Sequence, residues 1–351
     1  MKKIQINTST AYNVIIDKGI LKNCGQLAKE VVGPCTVAII TDDTVNSLYG
    51  TVVENSFKHE GFNCVKYVFP HGEESKSAGE FVKILEFLAE NHLTRTDIIV
   101  ALGGGVTGDL AGYSAASYLR GIRFIQIPTT LLAAVDSSVG GKTAINLNAG
   151  KNLAGAFHQP SLVICDTDSF DTLSEEIFAD GMAESLKYGV IADEDLFERM
   201  QTDVKENICH IVARCIEIKG NIVAHDEFDH GERQLLNFGH TVGHAIEKCS
   251  SFEISHGHAV AAGMVIASRG AEKEGIAKPG TTERIISALE KFGLPTKCAF
   301  SADELTSIAL SDKKRAGGEI TLVLPEKIGK CVLKKMPVES LGKFIAEGLF
   351  L

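Results

Sequence analysis

Asp97-Ile98-Ile99-Val100-Ala101-Leu102-Gly103-Gly104-Gly105-Val106-Thr107-Gly108-Asp109 is the stretch that decides the fold. Its apolar part has the length of a strand and no polar alternation, the pattern of a parallel strand buried on both faces. Glycines follow at once, and residues 110–119 are compatible with a helix. Strand, glycine turn and helix in that order satisfy G-x-G-x-x-G, where backbone amides and a helix N-terminus receive a phosphate or diphosphate. The acidic residue expected about 20 positions later is missing. Asp42, at the end of an earlier strand, is the substitute candidate for a ribose hydroxyl. The competing reading of the glycines is a tight turn and nothing more.

Outward from that stretch, residues 36–40, 124–127 and 162–165 also read as strands and 81–90 as a helix. Strands alternating with helices imply a parallel α/β sheet. Beyond about residue 172 helical patterns dominate, at 174–188, 195–200, 207–223, 234–248, 258–274 and 282–292. One late strand pair is expected at 319–324 and 330–333. The expected architecture is an α/β N-terminal domain with a Rossmann-like parallel sheet, residues 1–172, and a mostly α-helical C-terminal domain, residues 173–351.

The chain has 351 residues, 35 Lys+Arg against 45 Asp+Glu, and 44% hydrophobic residues. That composition belongs to a globular protein and not to a disordered one. The net charge of −10 disfavours nucleic acid, which needs basic surface. No apolar stretch reaches the ~18 residues of a membrane span. The nine cysteines form no C-x-x-C pair, which speaks against a disulfide framework and for a cytoplasmic location.

His240 and His244 stand at i and i+4 and would share a helix face; His256 and His258 follow. Dense histidines suit a catalytic zinc-type site, and His-Glu-x-x-His is absent, so a zincin protease is excluded. Spacing alone nominates His240 and His244 as joint ligands and does not identify a carboxylate. The alternative is a set of hydrogen-bonded structural histidines. Basic residues recur beside glycine corners or the histidines: Arg120, Lys142, Lys151, Lys187, Lys219 and Arg233. Lysines there are solvated surface by default. Their association with a phosphate-type turn and a metal motif points to a small, multiply anionic substrate.

Taken in order, Gly72–Lys76, Gly103–Asp109, Tyr118–Gly121, Pro128–Leu132, Asp136–Thr143, Gly150–Leu153, Gly181–Glu184, Leu235–His240, His256-Gly257 and Asp312-Lys313-Lys314 resemble the 3-dehydroquinate synthase family. The resemblance runs from about residue 70 to 315. It implies NAD, one divalent ion (Zn2+ or Co2+), a homodimer, and metal ligands Glu184, His240 and His256. His244 then becomes a site residue and not a ligand. Implied NAD contacts are Asp42, Glu73, Lys76, Gly104, Gly105, Val106, Asp109, Thr129, Thr130, Lys142, Lys151 and Ser169, Phe170, Asp171 and Thr172. Implied catalytic and substrate residues are Asp136, Lys142, Lys151, Asn152, Lys187, Lys219, Arg233, Asn237 and His244. One of Lys313 and Lys314 joins them, and Arg120 reaches the phosphate from the neighbouring subunit.

The implied substrate is a phosphorylated 3-deoxy-heptulosonate, with no nucleic acid or membrane partner. The implied reaction is transient oxidation by NAD, β-elimination of phosphate, re-reduction, ring opening and aldol closure to 3-dehydroquinate. Two positions depart from the family pattern: Asp229 and His258 stand where Glu is common. An extra imidazole beside His256 could compete for the metal, although its place on the helix would aim it elsewhere. The rivals are a related cyclase such as 2-deoxy-scyllo-inosose synthase, which lacks a carboxylated substrate and so has less use for Arg233 and Asn237, and a metal-dependent polyol dehydrogenase.

Overall fold

The computed structural model describes residues 1–311 and 318–349. It divides into two compact units, Met1–Leu173 with Lys219–Phe228, and Ser174–Ile218 with Asp229–Leu351.

The first unit is built on β1 (Lys2–Ile6), β2 (Tyr12–Asp17), β3 (Thr36–Asp42), β4 (Asn63–Phe69), β5 (Ile98–Gly103), β6 (Arg123–Pro128), β7 (Lys142–Leu147), β8 (Gly150–Phe157) and β9 (Leu162–Asp166). Seven of these form one sheet in the order β1-β2-β9-β6-β5-β3-β4. All its neighbours are parallel except β1 and β2. The continuous apolar run of β5 has its explanation here. Ile98, Val100 and Leu102 enter one core with Val37, Ile39, Ile125 and Ile164. Ile99 and Ala101 enter the core on the opposite face, with Ile40, Phe124 and residues of α1 (Gly105–Ser117). Each buried Val, Leu, Ile or Phe among them contributes about 1.5–3 kcal/mol.

The chain leaves β3 outward to β4, then returns to place β5 on the other side of β3. That reversal is a topological switch point, where open α/β sheets bind ligands beyond their C-terminal strand ends. Asp42 and the turn Gly103–Gly105 stand on the two sides of it.

The hairpin of β7 and β8 is not legible from periodicity, because Gly150 and Gly155 interrupt its pattern. It is held by Asn146, whose backbone amide donates to Lys76 O at 2.8 Å and whose side chain donates to Glu73 Oε1 at 2.7 Å.

The second unit contains α2 (Glu175–Ala192), α4 (His240–Cys249), α5 (His256–Lys273) and the antiparallel pair β10 (Glu319–Lys327) and β11 (Lys330–Pro337). The long helix α3 (Val204–His225) begins in this unit, and from Lys219 onward it belongs to the first. A single boundary at 172/173 does not describe that return. The helix expected over 234–248 is two elements: a 3-10 segment, Glu232–Asn237, and α4. Gly239 breaks it with φ +79, and a Cβ there would lie 2.6 Å from Met264 Cγ and 2.8 Å from Val260 O. The break lets α4 and α5 approach at backbone contact, since a Cβ on Gly263 would meet Gly239 O at 2.1 Å. No helix among the described residues is long and apolar enough to cross a membrane.

Candidate metal and nucleotide sites

In the first unit the expected nucleotide residues gather at the C-terminal edge of the parallel strands. Gly104 occupies the N-cap position of α1 with extended backbone and no capping side chain. A Cβ on Gly104 would stand 3.1 Å from Thr130 Cγ2, and one on Gly105 3.4 Å from Ser137 Oγ. The start of this 13-residue helix is therefore a backbone cradle that side chains would fill. Asp42 Oδ1 accepts from Val45 N at 2.8 Å, and its Oδ2 is 3.4 Å from Thr107 Oγ1. Thr129 N donates to Gly103 O at 3.0 Å. Beyond β9, Tyr49 Oη donates to Ser169 O at 3.1 Å and lies 2.7 Å from Thr172 Oγ1, which holds the turn containing Phe170 and Asp171. This edge fits a dinucleotide: bare amides for the diphosphate and an acid at the switch point.

Lys76 is buried and ion-paired to Asp109 of α1; its ammonium also donates to Asn152 Oδ1 at 2.5 Å. Burial pushes the Asp109 carboxyl up, against the pull of Lys76. Asn152 sits in the left-handed region, φ +57. Asp109, Lys142 and Asn152 line one cavity of about 480 Å³. Lys151 is half-buried on β8. Lys219, also buried, donates to Asp136 Oδ1 at 2.9 Å and Asp136 O at 2.7 Å. Arg120 is exposed on a strained bend in which Leu119, Arg120 and Gly121 all have positive φ (49, 70 and 116).

In the second unit Glu184 of α2 is fully buried and ion-paired to Lys187, itself 1% exposed. His240 Nε2 and His256 Nε2 lie 3.5 Å and 3.4 Å from Glu184 Oε1. The other ring nitrogens are committed. His240 Nδ1 faces Phe238 O at 3.1 Å and His256 Nδ1 faces Glu247 Oε2 at 3.2 Å. A carbonyl or carboxylate oxygen only accepts, so in both neutral rings Nδ1 carries the proton. In that neutral form, the one an ion would require, both Nε2 lone pairs face one carboxylate with the outer hydrogen bonds in place; without an ion, His256 Nε2 carries a proton toward Glu184 Oε1. The two rings respond oppositely to their surroundings. Burial pushes His240 down to about 3. For His256, burial is outweighed by the hydrogen bonds to Glu184 and Glu247, which raise it to about 10. Glu184, His240 and His256 bring ligand atoms within 4.8 Å of one another, and this N/N/O set suits a divalent ion of the zinc type.

His244, one turn after His240, does not join that group, so the pair nominated by spacing is not the one that meets the buried carboxylate. It forms a second possible group with Glu247 and His256. The Glu184 set is the better donor set, because Glu247 then orients His256 from outside through Nδ1. His244 lines a cavity of about 360 Å³ together with His240 and with Asp229, Gln234, Asn237 and Lys248. Arg233 is buried in the preceding 3-10 segment. His258 is turned away from the metal group. Its Nδ1 lies 2.7 Å from Asp180 Oδ1, and that hydrogen bond holds its pKa above the usual value. Lys313 and Lys314 lie outside the described residues. The reading of the sequence missed Glu247 as an orienting residue, although it sits three positions after His244 on the same helix face.

A switch-point edge that fits a dinucleotide in one unit and a two-histidine, one-carboxylate group that fits a divalent ion in the other match the class of α/β enzymes that use both. The family model described as 3-dehydroquinate synthase N-terminal matches residues 66–180, and that described as 3-dehydroquinate synthase C-terminal matches 181–315. The chain belongs to the 3-dehydroquinate synthase family. A 3-dehydroquinate synthase of Streptococcus suis is 44% identical over 98% of this chain and 99% of its own length. One of Clostridium acetobutylicum is 41% identical with the same coverage. Among solved structures, 2-deoxy-scyllo-inosose synthase, complexed with carbaglucose-6-phosphate, NAD+ and Co2+, has TM-score 0.88 and 25% identity, covering 99% of this chain and all of that one. The 2-epi-5-epi-valiolone synthase of Streptomyces hygroscopicus, with NAD+ and Zn2+ bound, has TM-score 0.86 and 25% identity over 99% of both chains. The glycerol dehydrogenase of Schizosaccharomyces pombe shares the fold, with TM-score 0.66 and 16% identity over 95% of this chain and 88% of that one.

Proposed function

We propose that this chain converts 3-deoxy-arabino-heptulosonate 7-phosphate to 3-dehydroquinate and phosphate, using NAD and one divalent ion. The observation that carries the reading is the pair of Nε2 atoms presented to the buried Glu184. When bound, NAD+ would supply reversible hydride transfer, and the ion held by Glu184, His240 and His256 would supply Lewis-acid polarisation of a hydroxyl or ketone oxygen.

The chain's own residues do the rest. The amides at the start of α1 receive the diphosphate, and Asp42 the ribose. Lys142, Lys151, Asn152 and Arg120 hold the substrate's anionic groups as point charges and donors. Arg233 and Asn237 favour a carboxylate-bearing substrate. Lys187 and His244 steer protons or tune the charge of the oxidised carbon. The Lys219 ammonium, 2.9 Å from Asp136 Oδ1, holds the Asp136 side chain at its position.

We also propose a cytoplasmic homodimer in which Arg120 serves the neighbouring subunit; light scattering after gel filtration checks the mass. Leu119, Phe157 and Phe228, exposed by 39%, 44% and 51%, support a surface that another chain covers.

The test is direct. The purified chain, given the heptulosonate phosphate, catalytic NAD+ and Zn2+ or Co2+, should release phosphate and form dehydroquinate without net NADH. Absence of phosphate release with every divalent ion tried overturns the assignment. Accumulation of stoichiometric NADH from simple polyols supports the dehydrogenase instead.

A further inference from the structure

Asp180 lies one turn before Glu184 on α2, so the two carboxylates share a face of that helix. Asp180 Oδ1 accepts from Ser255 Oγ at 2.7 Å and from the backbone amide of His258 at 3.0 Å, and lies 2.7 Å from His258 Nδ1. The His258 amide belongs to the first turn of α5, where N–H groups have no acceptor within the helix. Ser255, at the N-cap position, makes no capping bond with its own side chain. The cap is therefore supplied from α2. A carboxylate there also meets the positive end of the helix dipole.

Gly257 brings the two helices together at the same place. A Cβ on it would lie 2.4 Å from Asp180 Cα and 2.5 Å from Asp180 O. The residue that opens α5 is His256, whose Nε2 is 3.4 Å from Glu184 Oε1. Neither Asp180 nor His258 belongs to either candidate ligand group among the described residues.

We propose that Asp180, with Ser255, Gly257 and His258, is a positioning clamp that sets the separation of two metal ligands, Glu184 and His256. The clamp rests on the metal reading above and adds residues which that reading does not use. It fixes one ligand to the helix of another through a cap made across helices, so the pocket is formed before an ion arrives.

The full-length chain is titrated with Co2+ and Zn2+ against a competing chelator, and the visible absorption of the Co2+ form is recorded. Asp180→Ala should weaken metal binding by about tenfold, the lower end of the cost of removing a ligand's own hydrogen-bond partner, because Asp180 acts on His256 through its helix, and should change the Co2+ spectrum. Asp180→Asn, which keeps an acceptor oxygen, should recover part of both. Ser255→Ala, which removes the hydroxyl that touches both Asp180 Oδ1 at 2.7 Å and His258 Nδ1 at 2.8 Å, should show a several-fold loss and keeps the test open if Asp180→Ala fails to fold. Wild-type affinity and spectrum in folded Asp180→Ala, or in both milder variants, overturns the clamp. Failure of the wild type to bind metal, or undiminished binding by Glu184→Gln, overturns the metal reading instead.

Discussion

Glu184→Gln removes one charge and almost no volume from a site where Glu184 is 0% and Lys187 1% exposed. Breaking a buried ion pair by removing one partner costs about 3–5 kcal/mol, because the remaining charge loses its compensation in a dry site. At about 1.4 kcal/mol per decade this corresponds to a factor of roughly one hundred to several thousand in the folding equilibrium of the second unit. Replacing both members, Glu184→Gln with Lys187→Met, removes the uncompensated charge and with it most of that penalty. Metal binding behaves differently: both variants lack the carboxylate ligand, and both should lose the ion.

The assays are urea unfolding of the metal-free chain, followed by a probe in the second unit, and metal content after dialysis. The expected pattern is a destabilised single variant, a double variant restored to within about 1 kcal/mol of wild type, and no metal in either. A metal-free Glu184→Gln protein as stable as wild type would refute the charge argument. Retention of stoichiometric metal by the double variant would refute the ligand assignment.

Three further outcomes are expected. Gly263→Ala drives a methyl into Gly239 O, 2.1 Å away; it should cost about 1–3 kcal/mol and lower metal affinity by separating α4 from α5, checked by melting and metal titration. Gly104→Val fills the cradle at the start of α1 beside Thr130, 3.1 Å from the new Cβ; NAD+ affinity should fall at least about tenfold with little loss of stability, measured by calorimetry. Asp97 accepts from Thr36 N at 2.8 Å and from Thr94 N and Oγ1 at 2.6 and 2.7 Å, and these bonds outweigh burial to hold its carboxyl below the ordinary value. Its contribution is thus present above about pH 4 and lost as pH falls through the folded value. Asp97→Asn should cost about 1–2 kcal/mol at pH 7 and flatten the acid limb of a stability–pH profile; an unchanged limb contradicts this.

Much of the first unit was legible locally. A strand buried on both faces must be apolar at every position, so β5 is visible in the sequence as an unbroken run, and its glycine turn follows in register. β7 and β8 were not, because Gly150, Gly155 and the lysines at 142 and 151 interrupt the alternation and hide the period of two. The helix expected over 234–248 failed for a similar reason. Apolar spacing continues through Phe238 and Gly239, and only contact with Met264 and Val260 shows why the chain must turn there.

The strand, the glycine turn, the ordered polar motifs and hence the family are properties of residues close in sequence, and one chain sufficed to read them. The composition of the candidate metal group is different. Periodicity reports which side chains share one helix face, and it therefore paired His240 with His244. The resemblance, not the spacing, pointed to Glu184 and His256. Their approach to His240 is decided by which helices pack together: by Gly239 and Gly263 allowing α4 onto α5, and by Gly257 and Asp180 holding α5 to α2. Spacing carries no information about that partner choice, because it is settled by the close packing of side chains and backbones from distant parts of the chain.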